Sequence, residues 1–138
     1  MGVRKKYKFF EHTADVGIRV YGNTVEELFV NAAKGMFEVI AETSGIKPKE
    51  KLEISVQADS YDELLRQWLQ ELLYQFSVTE IVGVEFSIQG VTQNTLKAIM
   101  WGDKAPDKMK TEIKAVTYHE LEFKQVKDGY EAKVIFDV

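Results

Sequence analysis

Residues that could carry out chemistry lie close together near the start of the chain. His12, Thr13 and Asp15 supply an imidazole, a hydroxyl and a carboxylate within a short stretch, and metal and phosphate chemistry uses this mixture of groups. Thr and Asp between two strands also commonly hydrogen-bond backbone N–H groups in an Asx-type turn. Residues 10–17 are therefore the first candidate site, with a structural turn as the alternative.

A second carboxylate lies at the other end of the chain. Residues 134–136 have the apolar pattern of a buried strand, and Asp137 and Val138 follow directly. If this strand lies beside the one that carries Asp15, then Asp15, Asp137 and the terminal carbonyl or carboxylate of Val138 form an all-oxygen cluster. Hard divalent cations such as Mg²⁺, Ca²⁺ or Mn²⁺ favour that ligand set.

One lysine and two histidines complete the candidate residues. Lys114 lies in a strand-like stretch, where alternation places it on the same face as Val116. Its side chain could extend along apolar neighbours to solvent, or it could neutralise carboxylates or hold a phosphate. His12 and His119 have no local partner at metal-ligand spacing, so a structural hydrogen-bonding role remains open for each.

The elements that must position these residues follow from hydrophobic periodicity. Two Thr/Ser-x-x-Glu capping boxes, at 24–27 and 60–63, each precede a helical apolar pattern. We expect the first helix to end at 44–45 and the second near 77, with Trp68 in the core. Alternating or apolar runs predict strands at these positions: 7–10, 17–21, 52–58, 84–91, 95–101, 113–123 and 130 to the end.

These elements together predict the fold class. Two amphipathic helices with mostly hairpin-linked strands indicate an α+β fold, in which the helices pack on a largely antiparallel sheet or a partly closed barrel. The long segment 102–110 is expected to be a mobile lid near a site. The chain has 138 residues, of which 45% are hydrophobic, so we expect a single domain spanning 1–138.

Composition excludes several classes of function. The chain has no cysteine, which removes disulfides, thiolate nucleophiles and Cys-ligated zinc and fits a reducing, cytoplasmic location. No apolar run approaches the ~20 residues that cross a bilayer, so we expect no membrane partner. The net charge of −4 disfavours non-specific binding to nucleic acid, so any RNA role is expected to be indirect. Nucleotide-loop, serine-hydrolase and zinc-protease motifs are all missing from the sequence, so no self-sufficient catalytic signature remains.

Four segments, in this order along the chain, together resemble the archease family: residues 10–17, 68–74, 113–119 and 135–138. The resemblance implies a cofactor protein for the GTP-dependent RNA ligase of tRNA splicing. That ligase joins ends bearing a 2′,3′-cyclic phosphate or a 3′-phosphate to a 5′-hydroxyl. An archease promotes guanylylation of the ligase and its multiple turnover, and GTP acts on the ligase.

The resemblance also assigns roles to residues of this chain. It implies that Asp15 and Asp137 bind a divalent metal, with a backbone oxygen of Val138 as a further ligand, and we expect Lys114 and His12 to contact the partner or a phosphate. The 102–110 segment departs from the family pattern, because it has Gly102-Asp103 and Asp107-Lys108 where relatives often have Gly-Glu and a later His or Arg. We assign no metal or nucleotide role to this segment.

Two other classes of function remain as alternatives. The first is a chaperone or modulator of an RNA-modifying enzyme such as a tRNA methyltransferase, a role also proposed for the family. The second is an independent metal-dependent phosphohydrolase, which the lack of a nucleotide-binding motif disfavours.

Overall fold

The structure is a computed structural model that describes residues 6–12 and 15–138, with the backbone alone for His12. Its helices are α1 (Val25–Ile40) and α2 (Tyr61–Thr79), and Pro106–Lys108 form one 3₁₀ turn. The strands are β1 (Tyr7–His12), β2 (Asp15–Gly22), β3 (Glu50–Gln57), β4 (Ile81–Val91), β5 (Thr95–Lys104), β6 (Ala115–Val116), β7 (Glu122–Val126) and β8 (Gly129–Asp137).

The strands form two antiparallel sheets. In the larger sheet the order is β1-β2-β8-β6, and β7 pairs with another part of β8. In the smaller sheet the order is β3-β5-β4. The described strands therefore do not close into a barrel, and the α+β prediction with helices on antiparallel sheets is confirmed.

The two helices each contact both sheets. Helix α1 contacts β2 and β4, and α2 contacts β3 and β6. Sheets lie on two sides of α1, so apolar, buried residues occupy most of its circumference. An amphipathic surface helix would instead bury a single apolar stripe. Trp68 of α2 is fully buried and its indole N–H donates to the carbonyl of Phe29 over 2.9 Å, which confirms its predicted place in the core.

The helix starts show one correct and one incorrect prediction. The hydroxyl of Thr24 accepts a hydrogen bond from the Glu27 N–H at 3.1 Å, as the capping box predicts. The second capping box is wrong, because the Ser60 side chain does not cap α2. It donates instead to the Asp62 carboxylate, which accepts the Glu63 N–H at 2.9 Å.

Two segments of the second half differ from the sequence prediction. The strand expected at 113–123 is broken into β6 and β7, because the Thr117 hydroxyl accepts the His119 N–H at 3.2 Å and Glu120 has a left-handed φ of 51°. The expected lid at 102–110 begins as the end of β5, and its remainder is tied to α1. Lys110 donates its backbone N–H to Ile40 and its ammonium to Glu38 O, at 2.8 and 2.7 Å.

Both helices end at positions that differ from those predicted. Helix α1 ends at Ile40, several residues before the predicted 44–45, and α2 runs to Thr79 rather than 77. Within the residues that the structure describes, neither helix is long and apolar enough to cross a membrane.

Candidate metal and partner site

The strand register brings the two ends of the chain together at one edge of the larger sheet. Asp15 on β2 lies directly opposite Asp137 on β8, and Ala115 on β6 lies opposite Asp137 on its other side. On β1 the backbone of His12 pairs with Asp15. The condition set by the sequence analysis, that the last strand lies beside the strand of Asp15, is therefore met.

The two carboxylates share one face of the sheet. Directly opposed residues of antiparallel strands project to the same side, and neighbours along a strand project to opposite sides. Phe136 and Val16 belong to or pack on the core, so Asp15 and Asp137 project from the face turned away from the helices. Both are partly exposed. Like charges directly opposite each other on neighbouring strands repel.

An aromatic floor adjoins the acidic pair on this outer face. Phe10 lies over Gly17, and a Cβ on Gly17 would come within 2.1 Å of the ring, so this close approach requires glycine. Ile135 pairs with Gly17 and is fully buried. Arg19 Cζ and Lys133 Nζ lie 5.7 and 5.8 Å from the centroid of this ring, so two basic side chains lie near the aromatic floor.

Lys114 is joined to the site through its backbone. Its N–H donates to the carbonyl oxygen of Asp137 over 2.7 Å, which places Lys114 next to Asp137 and Val138. The Lys114 side chain is exposed and borders a groove beside α2. Val138 is partly buried and packs against the core, so the last described residue is docked rather than frayed.

Two residues that the sequence analysis missed hold β6 in place from α2. Gln70 Oε1 accepts the Val116 N–H at 3.2 Å, and Arg66 Nε donates to Val116 O at 2.9 Å. Arg66 also lies over the Tyr118 ring, 3.8 Å from Cζ to the centroid. Arg66 and Gln70 are four residues apart and therefore lie on one side of the helix. This spacing was the only signal in the sequence, and it does not indicate which residue they contact.

Strand β1, which carries His12, is fastened to α1 by Tyr7. Burial raises the pKa of the Tyr7 hydroxyl, and a hydrogen bond with Glu38 raises it further. Tyr7 therefore stays neutral. The Asx-type turn expected around Thr13, and the side chain of His12, lie outside the described residues.

The oxygen ligands at this edge of the larger sheet are acidic, and they would surround a metal ion only in part. Among the described residues no three His, Asp or Glu side chains converge on a point where a metal ion could lie. The paired aspartates supply two carboxylates and Val138 adds backbone oxygen, so an ion here would complete its coordination from outside this set. Mg²⁺ is commonly held by one or two carboxylates with several waters, and this geometry fits such a site.

Comparison with known proteins agrees with this architecture. The model of the Archease protein family matches residues 7–138. The chain is 40% identical to a protein archease from Methanosarcina acetivorans, with 97% of both chains covered, and 41% identical to one from Saccharolobus islandicus, with 97% and 99% covered. The family model and these relatives each match nearly the whole of this α+β chain. The chain belongs to the archease family.

Two solved structures share the fold. The solution structure of Methanobacterium thermoautotrophicum protein 1598 has a TM-score of 0.85, 31% identity, and coverage of 96% of this chain and 99% of its own. The crystal structure of an archease described as a possible chaperone, from Thermotoga maritima, has a TM-score of 0.70, 28% identity, and coverage of 100% and 99%.

Proposed function

We propose that this chain is a non-catalytic activator of the GTP-dependent RNA ligase of tRNA splicing. In this proposal it promotes guanylylation of the ligase, which then joins 2′,3′-cyclic phosphate or 3′-phosphate ends to 5′-hydroxyl ends through many turnovers. Membership of the archease family supports a cofactor role with a protein partner. The observation that carries the proposal is the direct opposition of Asp15 and Asp137.

The opposed carboxylates favour a divalent cation. Two like charges facing each other across antiparallel strands destabilise the pair, and a cation between them would reverse the sign of that interaction. Carboxylate and backbone oxygens are the ligands that Ca²⁺, Mg²⁺ and Mn²⁺ prefer. We therefore assign Asp15, Asp137 and the Val138 backbone oxygen to the metal.

The openness of the site suits presentation of the ion to a partner. Fewer than three side chains converge on it from the described residues, so part of the coordination sphere is left for groups of the ligase or its bound nucleotide. A bound divalent ion would neutralise phosphate charge during nucleotidyl transfer. Lys114, exposed next to Asp137, and His12 would contact a phosphate or a carboxylate of the partner.

Domain organisation, cellular location and net charge also belong to the proposed function. We propose that the whole of residues 1–138 acts as one domain and works in the cytoplasm, which the absence of cysteine suits. The net charge of −4 favours association with a basic, RNA-binding partner over direct binding to RNA.

Guanylylation of the ligase tests the proposal. The ligase is incubated with labelled GTP and metal, and covalent label is counted with and without this chain. We expect the wild-type chain to raise the guanylylation rate and the double variant Asp15→Ala, Asp137→Ala to leave it at the basal level. The chain alone should not turn over GTP, and equal rates for wild type and double variant would refute the role of the acidic pair.

A modulator or chaperone of an RNA-modifying enzyme, such as a tRNA methyltransferase, is the second candidate. One structure with the same fold is described as a possible chaperone. This function predicts that the chain keeps such an enzyme active or soluble and leaves ligase guanylylation unchanged, so the same assay separates the two candidates.

A further inference from the structure

An open groove of about 640 Å³ runs between α2 and residues 109–114. Its floor is apolar, with Leu73 and Ile113 each nearly buried. Its walls carry Tyr74 and Met109, which are 57% and 44% exposed. Large apolar side chains exposed together around a concave surface are typical of an interaction site rather than of free surface.

The backbone beside this groove lies outside the strands, and part of it is not hydrogen-bonded. Thr111 N–H donates to Ile40 O at 3.4 Å and Lys114 N–H to Asp137 O at 2.7 Å. Between them, the N–H groups of Glu112 and Ile113 have no acceptor among the described residues. Unpaired backbone groups at an exposed position can pair with an added strand of another chain.

The backbone of Val116, a few residues further along, is fully hydrogen-bonded. The outward N–H and C=O of Val116 are both satisfied by side chains of α2, from Gln70 and Arg66. The fold therefore covers the edge at Val116 and leaves a short unpaired window at 112–113, beside the apolar groove.

Charge around the groove indicates what would fill it. Its rim carries Lys110 and Lys114 against Glu112, so two positive charges and one negative give a net charge of +1 in a chain whose total is −4. The Lys110 ammonium is held at the rim by its bond to Glu38 O, 2.7 Å. An apolar segment with an acidic residue is complementary to this surface.

We propose that the groove receives an extended, apolar segment of the partner protein that carries an acidic residue and pairs with the backbone of 112–113. This inference rests on the proposed function, since the partner is the RNA ligase. The groove is continuous with the acidic pair through Lys114, so a ligase segment seated here would anchor the chain while the carboxylates face the ligase's reacting phosphates.

Residue-resolved amide hydrogen exchange of the full chain, free and bound to the ligase, tests the pairing. Successive N–H groups of an extended segment point to opposite sides, so one of the two amides, of Glu112 or Ile113, should exchange at least about tenfold more slowly in the complex. Gln93, in the β4–β5 turn and not part of the groove, should be unchanged. Unaltered exchange at Glu112 and Ile113 in a formed complex would overturn the groove proposal and leave ligase activation standing.

A pair of variants on α2 tests the groove itself. Ser77→Trp places a large ring in the groove and removes only a hydrogen bond within the helix, from Ser77 Oγ to Tyr74 O at 2.6 Å. Val78→Trp, at a 62% exposed neighbour that does not line the groove, is the control. We expect Ser77→Trp to weaken ligase binding about tenfold or more, with Val78→Trp near wild type.

The outcomes separate this inference from the proposed function. Equal ligase affinity of Ser77→Trp and Val78→Trp contradicts the groove proposal alone. A wild-type chain that neither binds nor activates the ligase overturns both. Concentration-dependent protection of Glu112 or Ile113 without ligase would show that a second copy occupies the groove, which also contradicts the inference. The exchange measurement uses the wild-type chain and therefore holds even if Ser77→Trp does not fold.

Discussion

Asp15 and Asp137 face each other across β2 and β8, which carry one other like-charged pair, Arg19 opposite Lys133. Each of these two basic residues has an acidic side chain nearby, since Arg19 lies 3.8 Å from Glu131 and Lys133 lies 2.5 Å from Glu120. A fold that places two carboxylates opposite each other gives up stability at that position. In the proposed function, a divalent ion bound at the sheet edge compensates for this repulsion.

Replacing either aspartate by asparagine should separate function from stability. Asp15→Asn and Asp137→Asn should each abolish ligase activation and weaken Mn²⁺ or Ca²⁺ binding, because each removes one carboxylate ligand. Without metal, the free energy of unfolding should change by less than about 1 kcal/mol, since a repulsive pair is relieved. The measurements are metal titration and denaturant unfolding.

Asp59→Asn, at an exposed carboxylate between β3 and α2, is the control and should behave as wild type. Marked unfolding of Asp15→Asn in metal-free buffer would mean that this carboxylate has a structural role, as in the Asx-type turn.

Lys114 contributes a backbone N–H to Asp137 and a separate, exposed ammonium group. Lys114→Ala keeps the first and removes the second. We expect ligase activation to fall, while metal affinity holds or rises because a nearby positive charge is lost. Parallel metal titration and guanylylation assays measure the two effects, and a large loss of metal binding would contradict the role assigned to this side chain.

Helix α2 supports β6 by two side chains rather than by strand pairing. Because β6 has only two residues, its position depends on Gln70 and Arg66 as well as on β8. Through Lys114 N–H and Asp137 O, the same short strand adjoins the acidic pair. Loss of this support should therefore loosen the site.

Gln70→Leu removes the acceptor of the Val116 N–H. Leaving this part-buried donor unsatisfied should cost about 1–3 kcal/mol, speed exchange of the Val116 amide and lower ligase activation. Gln67→Leu, on the same helix but without a bond to β6, is the control. Unchanged Val116 exchange in Gln70→Leu would show that β8 alone fixes this strand.

The two helix starts offer a matched comparison of caps. Thr24→Ala should destabilise the protein by about 1 kcal/mol, because it removes the acceptor of the Glu27 N–H. Ser60→Ala should cost less, since Ser60 does not cap α2. Thermal unfolding of the two variants measures the difference, and neither should affect ligase activation. A larger loss for Ser60→Ala would contradict the observed bonding.

The parts of the fold that were predictable depend on local patterns. Helices α1 and α2 and the Thr24 cap follow from periodicity and a cap within a few residues. The break between β6 and β7 was missed because it depends on the Thr117 side chain and on Glu120 in a left-handed conformation. The contact from Arg66 to Val116 spans 50 positions, and no local pattern encodes it.

The candidate site was predictable only conditionally. Residue types indicated oxygen ligands at Asp15 and Asp137, but their opposition required β2 and β8 to pair, and they lie at opposite ends of the chain. The lid expected at 102–110 was wrong because Lys110 binds the end of α1, which has no basic residue of its own in the last turn.

The molecule as a whole combines an acidic edge with a groove whose rim is positive, both within reach of the 109–116 segment. In the proposed function, the chain binds its partner at the groove and acts on the partner's phosphates at the acidic edge. The smaller sheet contributes no residue to the groove, and α1 contributes only Ile40 and the Glu38 carbonyl that holds Lys110.

Multiple-turnover ligation tests the central claim most directly. RNA bearing a 2′,3′-cyclic phosphate at one end and a 5′-hydroxyl at the other is supplied in large excess over the ligase, with GTP and divalent metal, and product is followed past the first turnover. We predict that the ligase slows after its first turnover when alone or with Asp137→Asn, and continues through many turnovers with the wild-type chain. A rate past the first turnover that the wild-type chain leaves unchanged would contradict the account.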